Sequence, residues 1–184
     1  FTSSAKTALA SGEMLSEEIG RASRSMLDTL DNGGKLLLCG NGGSATDAMH
    51  FSAELLVRFL KERKALPAVA LVSDTATLTA TGNDYAFDQI FSRQLEALAV
   101  PGDHLVVIST SGNSPNILNA VKASQATGGI KITALTGRDG GALGLEGAPL
   151  LLDEAILLLA DGGGLLGPAR TARQRSTEYQ ARGK

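Results

Sequence analysis

Short apolar runs alternate along the chain with longer segments in which apolar residues recur every three or four positions. Runs of the length of buried strands cover 35–39, 68–72, 104–108 and 130–135, and a fifth strand is expected within 155–160. Helical spacing predicts an N-terminal arm over 2–30 and further helices over 44–64, 75–82, 85–99 and 115–127. Strands separated by helices predict an α/β fold: a doubly wound, mostly parallel five-stranded sheet with helices on both faces.

Turns rich in Gly, Ser, Thr, Asn or Asp follow the first four predicted strands. They begin at Gly40, Ser73, Ser109 and Thr136. Because the carboxyl ends of parallel strands meet at one edge of a sheet, where small ligands bind, these turns indicate a functional edge.

The first of these turns, Gly40-Asn41-Gly42-Gly43, can continue neither a strand nor a helix, and Ser44 is expected to be the N-cap of the next helix. The start of that helix would offer backbone N–H groups to an anion. The alternative is that the glycines form only a tight connection.

Two titratable side chains, His50 and Glu54, are four residues apart on the helix after this turn, so they share one face. They are candidates for chemistry, and the alternative is an ordinary surface pair. His104, just after a turn at the amino end of its strand, is expected to be a plain surface residue. Cys39 is expected to be a small buried residue.

The turn after the third strand, Ser109-Thr110-Ser111-Gly112-Asn113-Ser114, precedes Pro115 and a helix. Hydroxyl and backbone N–H groups at a strand-to-helix turn can surround a phosphate, because the helix N-terminus carries the positive end of its dipole. The segment is not a Walker A loop, since no Gly-Lys-Ser/Thr closes it. The alternative is a polar loop that ends in an N-cap.

Composition narrows the function classes. The 184 residues are 43% hydrophobic and 20% charged, with a net charge of −2, so capture of nucleic acid or of an anionic membrane is not expected. The single cysteine excludes a disulfide within the chain and a cysteine-based zinc cluster. No apolar run has the length of a signal peptide core or a membrane span, which predicts a cytoplasmic protein.

The motifs CGNGGSATDAMHF, GND at 82–84, STSGNS at 109–114 and LTGRDGG at 135–141 together resemble the sugar isomerase (SIS) domain proteins, and are most similar to the phosphoheptose isomerases. The resemblance covers about 33–141. It implies a helical arm over 1–32, an SIS-type, flavodoxin-like sugar-phosphate domain over 33–160 and an atypical tail over 161–184. It also implies a cytoplasmic homotetramer with active sites shared between subunits.

The resemblance further implies an aldose–ketose isomerisation of sedoheptulose 7-phosphate to D-glycero-D-manno-heptose 7-phosphate through an enediol, which feeds heptose synthesis for lipopolysaccharide or S-layer glycans. Glu54 would be the catalytic base, and His50, Glu54 and Gln174 would be zinc ligands, although Gln174 aligns only with a one-residue gap. The remaining family positions would bind the sugar or its phosphate: Asn41, Gly42, Gly43, Ser44, Asn83, Asp84, Ser109, Thr110, Ser111 and Ser114.

The chain departs from the family pattern at its end. The histidine that serves phosphoheptose isomerases as the acid is absent, because no histidine follows His104. Divergence, an altered reading frame or a truncated chain would each produce such a tail. Two hypotheses therefore stay open: an isomerase, or a non-catalytic SIS-domain regulator that binds a sugar phosphate or a protein, similar to the regulators of the bacterial replication initiator.

Overall fold

A computed structural model describes residues 2–137 and 140–144 of the chain. These residues form a parallel sheet of four strands, which are β1 (Leu36–Gly40), β2 (Ala68–Ala70), β3 (His104–Ser109) and β4 (Lys131–Thr136). The strand order is β2-β1-β3-β4. Gly40 pairs with Ile108 and Ser109 pairs with Thr136, so the last residues of β1, β3 and β4 reach the same edge of the sheet.

Five helices connect or precede the strands in the described part of the chain. They are α1 (Thr2–Asp31), α2 (Gly43–Leu56), α3 (Thr75–Asp84), α4 (Ser92–Leu98) and α5 (Pro115–Thr127), with short 3₁₀ turns at Phe87–Gln89 and Gly141–Gly144. The Asp74 carboxylate caps α3 by accepting a hydrogen bond from the Thr77 N–H at 3.1 Å. Pro115 is the first residue of α5, where an N–H group would have no partner within the helix, so the N–H that proline lacks is not needed. No helix among the described residues combines the length and apolar character that crossing a membrane requires.

Hydrophobic side chains pack on both faces of the sheet, because successive strand residues point to opposite sides. On one face Leu37, Leu105 and Ile132 pack with Phe91, with Leu95 of α4 and with Ile117 of α5. On the other face Leu36, Leu38 and Val106 pack with α1 and α2 through Met26, Leu30, Ala48 and Phe51. This arrangement confirms the doubly wound α/β architecture. The predicted fifth strand at 155–160 and the tail lie outside the described residues.

Helix α2 is shorter than its sequence pattern predicts. It ends at Leu56 and not near residue 64, and the apolar residues that follow, Val57, Phe59 and Leu60, are 69%, 70% and 76% exposed. The chain folds back at this point: the Arg63 guanidinium donates to the main-chain oxygens of Glu54 and Leu55, and the Leu66 N–H donates to the Leu55 oxygen at 3.0 Å. These bonds satisfy carbonyls that a longer helix would have used.

The helix predicted over 85–99 is also interrupted. It consists of the 3₁₀ turn at Phe87–Gln89 followed by α4. The buried Gln94 side chain on α4 donates to the main-chain oxygen of Leu71 at 2.8 Å, which fixes α4 against the end of β2.

His104 is buried, so its prediction as a surface residue was wrong. It begins β3 between β1 and β4 and is completely shielded from solvent, and its Nε2 lies 2.8 Å from the Thr133 hydroxyl. Burial, assisted by the positive charge of Lys131 and partly offset by the main chain of Ser25, lowers the pKa of the imidazole to about 4. The sequence pattern missed this because α1 covers the face of the sheet beside the first residue of β3, a tertiary contact.

Candidate functional site

The turn between β1 and α2 brings the backbone of Gly40 against the first turn of α2. A Cβ atom on Gly40 would lie 2.5 Å from the Ser44 main-chain oxygen, so only glycine fits there. Gly42 has a φ of 55° and is the N-cap of α2, whose first residue is Gly43. The prediction that Ser44 is the N-cap was therefore wrong: Ser44 lies inside the first turn, and its N–H donates to the Asn41 oxygen at 3.0 Å.

The side chain of Asn41 links this turn to the start of α5. Asn41 Nδ2 donates to Asn116 Oδ1 at 2.9 Å, and Asn116 Nδ2 donates to Asn41 Oδ1 at 2.8 Å. Asn116 is only 2% exposed, and its Oδ1 also accepts the Ile117 N–H at 3.0 Å. The turn after β1 and the helix after β3 are thereby joined at the carboxyl edge of the sheet.

The loop over 109–114 folds around its own hydroxyls before α5 begins. The Ser109 hydroxyl accepts the Gly112 N–H at 3.2 Å, and the Ser111 hydroxyl accepts the Asn113 N–H at 3.2 Å. Ser114 is the N-cap of α5, yet its side chain makes no capping hydrogen bond. The Ser114 hydroxyl lies at the N-terminus of a 13-residue helix, where the positive end of the helix dipole favours binding of an oxyanion. Because this hydroxyl makes no capping bond, it is available to a ligand.

A second loop, which follows β4, packs against this loop. Gly137 N–H donates to the Thr110 oxygen at 3.1 Å, Leu143 N–H donates to the Gly112 oxygen at 3.0 Å, and Ala142 N–H donates to Asn113 Oδ1 at 2.8 Å. A Cβ atom on Gly112, whose φ is 65°, would overlap the Gly140 carbonyl. The closeness of the two loops therefore depends on glycine and holds the hydroxyl-rich loop in one shape.

His50 and Glu54 lie together on α2, as their spacing predicts. His50 Nε2 is 3.1 Å from Glu54 Oε1, and their side chains are 73% and 36% exposed. This separation suits two ligands of one tetrahedral zinc, whose bonds to nitrogen and oxygen are about 2.0–2.2 Å long. Within 2–137 and 140–144, however, no three His, Cys, Asp or Glu side chains are close enough to hold a metal ion. The pair could supply only part of a zinc site.

Asn83 and Asp84 are not joined to the other candidate residues by hydrogen bonds in the described structure. They form the last two residues of α3, and Asn83 Nδ2 donates to Asp84 Oδ1 at 2.8 Å. Both are exposed, so they could reach a ligand or a second subunit without rearrangement of the core. Gln174 lies outside the described residues.

Cys39 is confirmed as a buried residue, and burial raises the pKa of its thiol. A buried neutral thiol is a poor nucleophile, so Cys39 is not a catalytic candidate although it comes just before the turn.

Sequence reasoning missed Asn116 and Asn113, the two side chains that fix the loops. The signal for Asn116 was present in the spacing of α5. Its buried residues are Asn116, Ile117, Ala120, Val121 and Ser124, so Asn116 falls on the apolar face of the helix, four residues before Ala120. A polar residue on such a face requires a partner, but the sequence does not say which one.

Comparison with known proteins connects these features to a family. The SIS domain family model matches residues 1–137, which include the turn after β1, α2 and the hydroxyl-rich loop. The chain belongs to the SIS domain family. The match extends from the helical arm through the last residue described before the gap at 138–139.

Among relatives of this SIS domain, a phosphoheptose isomerase from Shewanella loihica is 54% identical over 148 residues, which are 80% of this chain and 75% of the relative. A solved phosphoheptose isomerase from Francisella tularensis superposes with a TM-score of 0.75 at 48% identity, covering 78% of this chain and 74% of that one. A second, from Neisseria gonorrhoeae, gives a TM-score of 0.74 at 43% identity and covers 98% of this chain and 89% of the other.

Proposed function

We propose that this protein is a phosphoheptose isomerase that interconverts sedoheptulose 7-phosphate and D-glycero-D-manno-heptose 7-phosphate. The observation that carries the proposal is the meeting of two polar elements at one sheet edge. The turn at Asn41 and the hydroxyl-rich loop before α5 are tied together by the Asn41–Asn116 pair. The relatives named phosphoheptose isomerase support the same activity.

The hydroxyl-rich loop provides the phosphate site of the proposal. Ser109, Thr110, Ser111 and Ser114 would surround the phosphate together with the first N–H groups of α5. The uncommitted cap position of Ser114 supports this role, because a phosphate oxygen would accept from its hydroxyl at the positive end of the helix. The neighbouring turn at Asn41, Gly42, Gly43 and Ser44, with Asn83 and Asp84, would contact the sugar.

Glu54 is the proposed base. An aldose–ketose isomerisation moves a proton between adjacent carbons through an enediol, so it requires one carboxylate that reaches both carbons and an acid for the oxygens. Glu54 is partly exposed on α2, one helix turn after His50. His104 cannot supply the acid, because it is buried in the sheet beside Thr133. Another group would have to supply the acid, such as a residue outside the described part of the chain or a residue of a neighbouring subunit.

Zinc is the proposed metal, with His50 and Glu54 as two of its ligands and Gln174, which aligns only with a one-residue gap, as the third. When bound, zinc would polarise the sugar oxygens as a Lewis acid. The 3.1 Å separation of the His50 and Glu54 atoms supports their sharing one ion.

A cytoplasmic homotetramer with active sites shared between subunits is the proposed assembly. Its support is the apolar surface formed by Leu56, Val57, Phe59 and Leu60, which directly follows Glu54 and is exposed in the single chain. Monomeric proteins rarely expose large contiguous apolar patches, and a partner subunit at this surface would also approach the base. Light scattering that gave a single monomer mass would contradict the tetramer.

The test is an isomerisation assay with sedoheptulose 7-phosphate on protein of verified mass, with and without added zinc. Formation of the heptose aldose phosphate supports the proposal. Absence of turnover, with binding of the sugar phosphate retained in calorimetry, would reject the isomerase and favour the non-catalytic regulator.

A further inference from the structure

The reciprocal pair of side-chain amides between Asn41 and Asn116 connects the two ends of the candidate site. Asn41 lies in the turn after β1, at the proposed sugar end. Asn116 is the second residue of α5, beside the proposed phosphate end. Nothing in the sequence motifs assigns a role to Asn116, and its side chain is almost entirely buried.

We propose that Asn116 is a positioning residue that sets the distance between the sugar-binding turn and the phosphate-binding loop. This inference rests on the proposed isomerase function. In this proposal the side chain of Asn116 acts through Asn41 and contacts neither the phosphate nor the reacting carbons.

The two side-chain amides of Asn41 and Asn116 form a pair with a defined geometry. Each amide donates one N–H and accepts one in return, at 2.9 and 2.8 Å, so the two planes are held in one relative orientation. An apolar residue at 116 would leave both polar atoms of Asn41 without these partners. The Ile117 N–H would lose its bond to Asn116 Oδ1 but keep its bond to the Ser114 oxygen at 3.0 Å, so the start of α5 would remain while the turn at Asn41 would lose its link to it.

The functional consequence follows from the geometry of the substrate. A sugar phosphate held by its phosphate at the start of α5 would lie beside the turn at Asn41, which is joined to that helix start. Small displacements of a bound substrate from its reactive position cost rate more than affinity. Loss of Asn116 is therefore expected to lower kcat while the phosphate end still binds.

The experiment measures kcat, KM and the inhibition constant of inorganic phosphate for Asn116→Ala, Asn116→Ser, Asn41→Ala and the double variant Asn41→Ala/Asn116→Ala. We expect Asn116→Ala and Asn116→Ser to lower kcat by about tenfold or more. The inhibition constant of inorganic phosphate should change by less than about twofold, because Ser114 and the start of α5 remain. The double variant should be no slower than Asn41→Ala, since Asn116 acts through Asn41.

Asn119→Ala is the matched control. Asn119 lies one turn further along α5, and its Nδ2 donates to the Asp88 main-chain oxygen at 3.0 Å, away from the turn at Asn41. This variant removes the same functional group from the same helix and should keep kcat and KM close to the wild-type values. Thermal unfolding of all variants identifies those that lose activity by losing the fold. Asn116→Ser keeps a residue suited to the first turn of a helix, so it remains informative where Asn116→Ala does not fold.

The outcomes separate this inference from the proposed function. If the wild-type protein isomerises the sugar phosphate and Asn116→Ser behaves like Asn119→Ala, the positioning role is rejected and the isomerase stands. Multiplication of the losses in the double variant would also reject it, because independent action is then required. If the wild-type protein shows no turnover, the proposed function fails and this inference falls with it.

Discussion

The Nε2 atom of His50 lies 3.1 Å from Oε1 of Glu54, one helical turn away on α2. Both side chains are partly open to solvent, and the main-chain oxygens of Glu54 and Leu55, near the end of the helix, accept hydrogen bonds from Arg63. The carboxylate therefore extends from a helix end that is fixed by its own main chain. This combination of a fixed backbone and an accessible carboxylate suits a base that acts on a bound substrate.

Replacement of Glu54 should separate binding from chemistry. In Glu54→Gln the amide keeps the size of the side chain but cannot accept a proton, so kcat should fall by about a hundredfold or more. Binding of inorganic phosphate, measured by calorimetry, should be retained. Glu96→Gln is the control, because Glu96 is an exposed glutamate of α4 that pairs with Arg93 at 3.5 Å. Turnover of Glu54→Gln at the wild-type rate would refute the assignment of the base.

Zinc binding should depend on His50 and not on the other histidine of the chain. His50→Gln removes an imidazole ligand, so zinc affinity should fall by more than the roughly 10–100-fold that loss of an outer-shell partner causes. Elemental analysis after dialysis and calorimetric titration with zinc measure this without an activity assay. His104→Gln is the matched control, because His104 is buried at the opposite edge of the sheet. Equal zinc content in both variants would exclude His50 as a ligand.

Asp103 should contribute to stability at the amino edge of the sheet, far from the site. Its carboxylate, 1% exposed, accepts from Lys35 Nζ at 2.6 Å, from the Lys35 N–H at 3.0 Å and from the Val100 N–H at 2.9 Å. Asp103→Ala should lower the free energy of unfolding by about 3 kcal/mol, because two backbone donors and the ammonium lose their partner. Glu96→Ala, which breaks the exposed pair with Arg93, should cost less than about 1 kcal/mol. Urea unfolding measures both, and equal losses would contradict the prediction.

The stability of the fold should fall between pH 7 and pH 5 because of His104. The pKa of this imidazole is about 4 in the folded protein, below its ordinary value of 6.5, so its contribution to stability is complete above pH 6.5 and is lost as the pH falls towards 4. The unfolded chain takes up a proton in this interval and the folded chain does not. The loss from pH 7 to pH 5 should be about 2 kcal/mol.

His104→Gln provides the comparison for this pH dependence. The glutamine variant has no imidazole to protonate, so its free energy of unfolding should change less between pH 7 and pH 5 than that of the wild-type protein. The same decrease in both proteins would show that other groups cause it.

The sequence pattern located the strands well because each strand is a compact apolar run. Residues 35–39, 104–108 and 130–135 match β1, β3 and β4 to within one residue at each end. It placed the ends of α1 and α5 to within one residue but missed the end of α2, since that end depends on distant partners. The early end of α2 depends on Arg63 folding back onto Glu54 and Leu55, which no periodicity records.

In the candidate site, too, the local features were predictable from the sequence and the contacts between distant segments were not. The glycine turn, the hydroxyl-rich loop and the His50–Glu54 spacing are local features, so the sequence revealed them without any knowledge of the fold. The burial of His104 under α1 and the approach of the loop after β4 to Gly112 join segments far apart in the chain. The local sequence pattern does not indicate either contact for that reason.

By itself, the sequence determined the alternation of strands and helices, the carboxyl edge at which polar turns collect, and the pairing of His50 with Glu54 through one helical turn. Only the tertiary structure decided that Asn41 is joined to Asn116, which is 75 residues away, and that His104 has no contact with solvent. The physical reason is that periodicity and turn chemistry act within a few residues. Hydrogen bonds and burial between segments exist only after the sheet has brought those segments together.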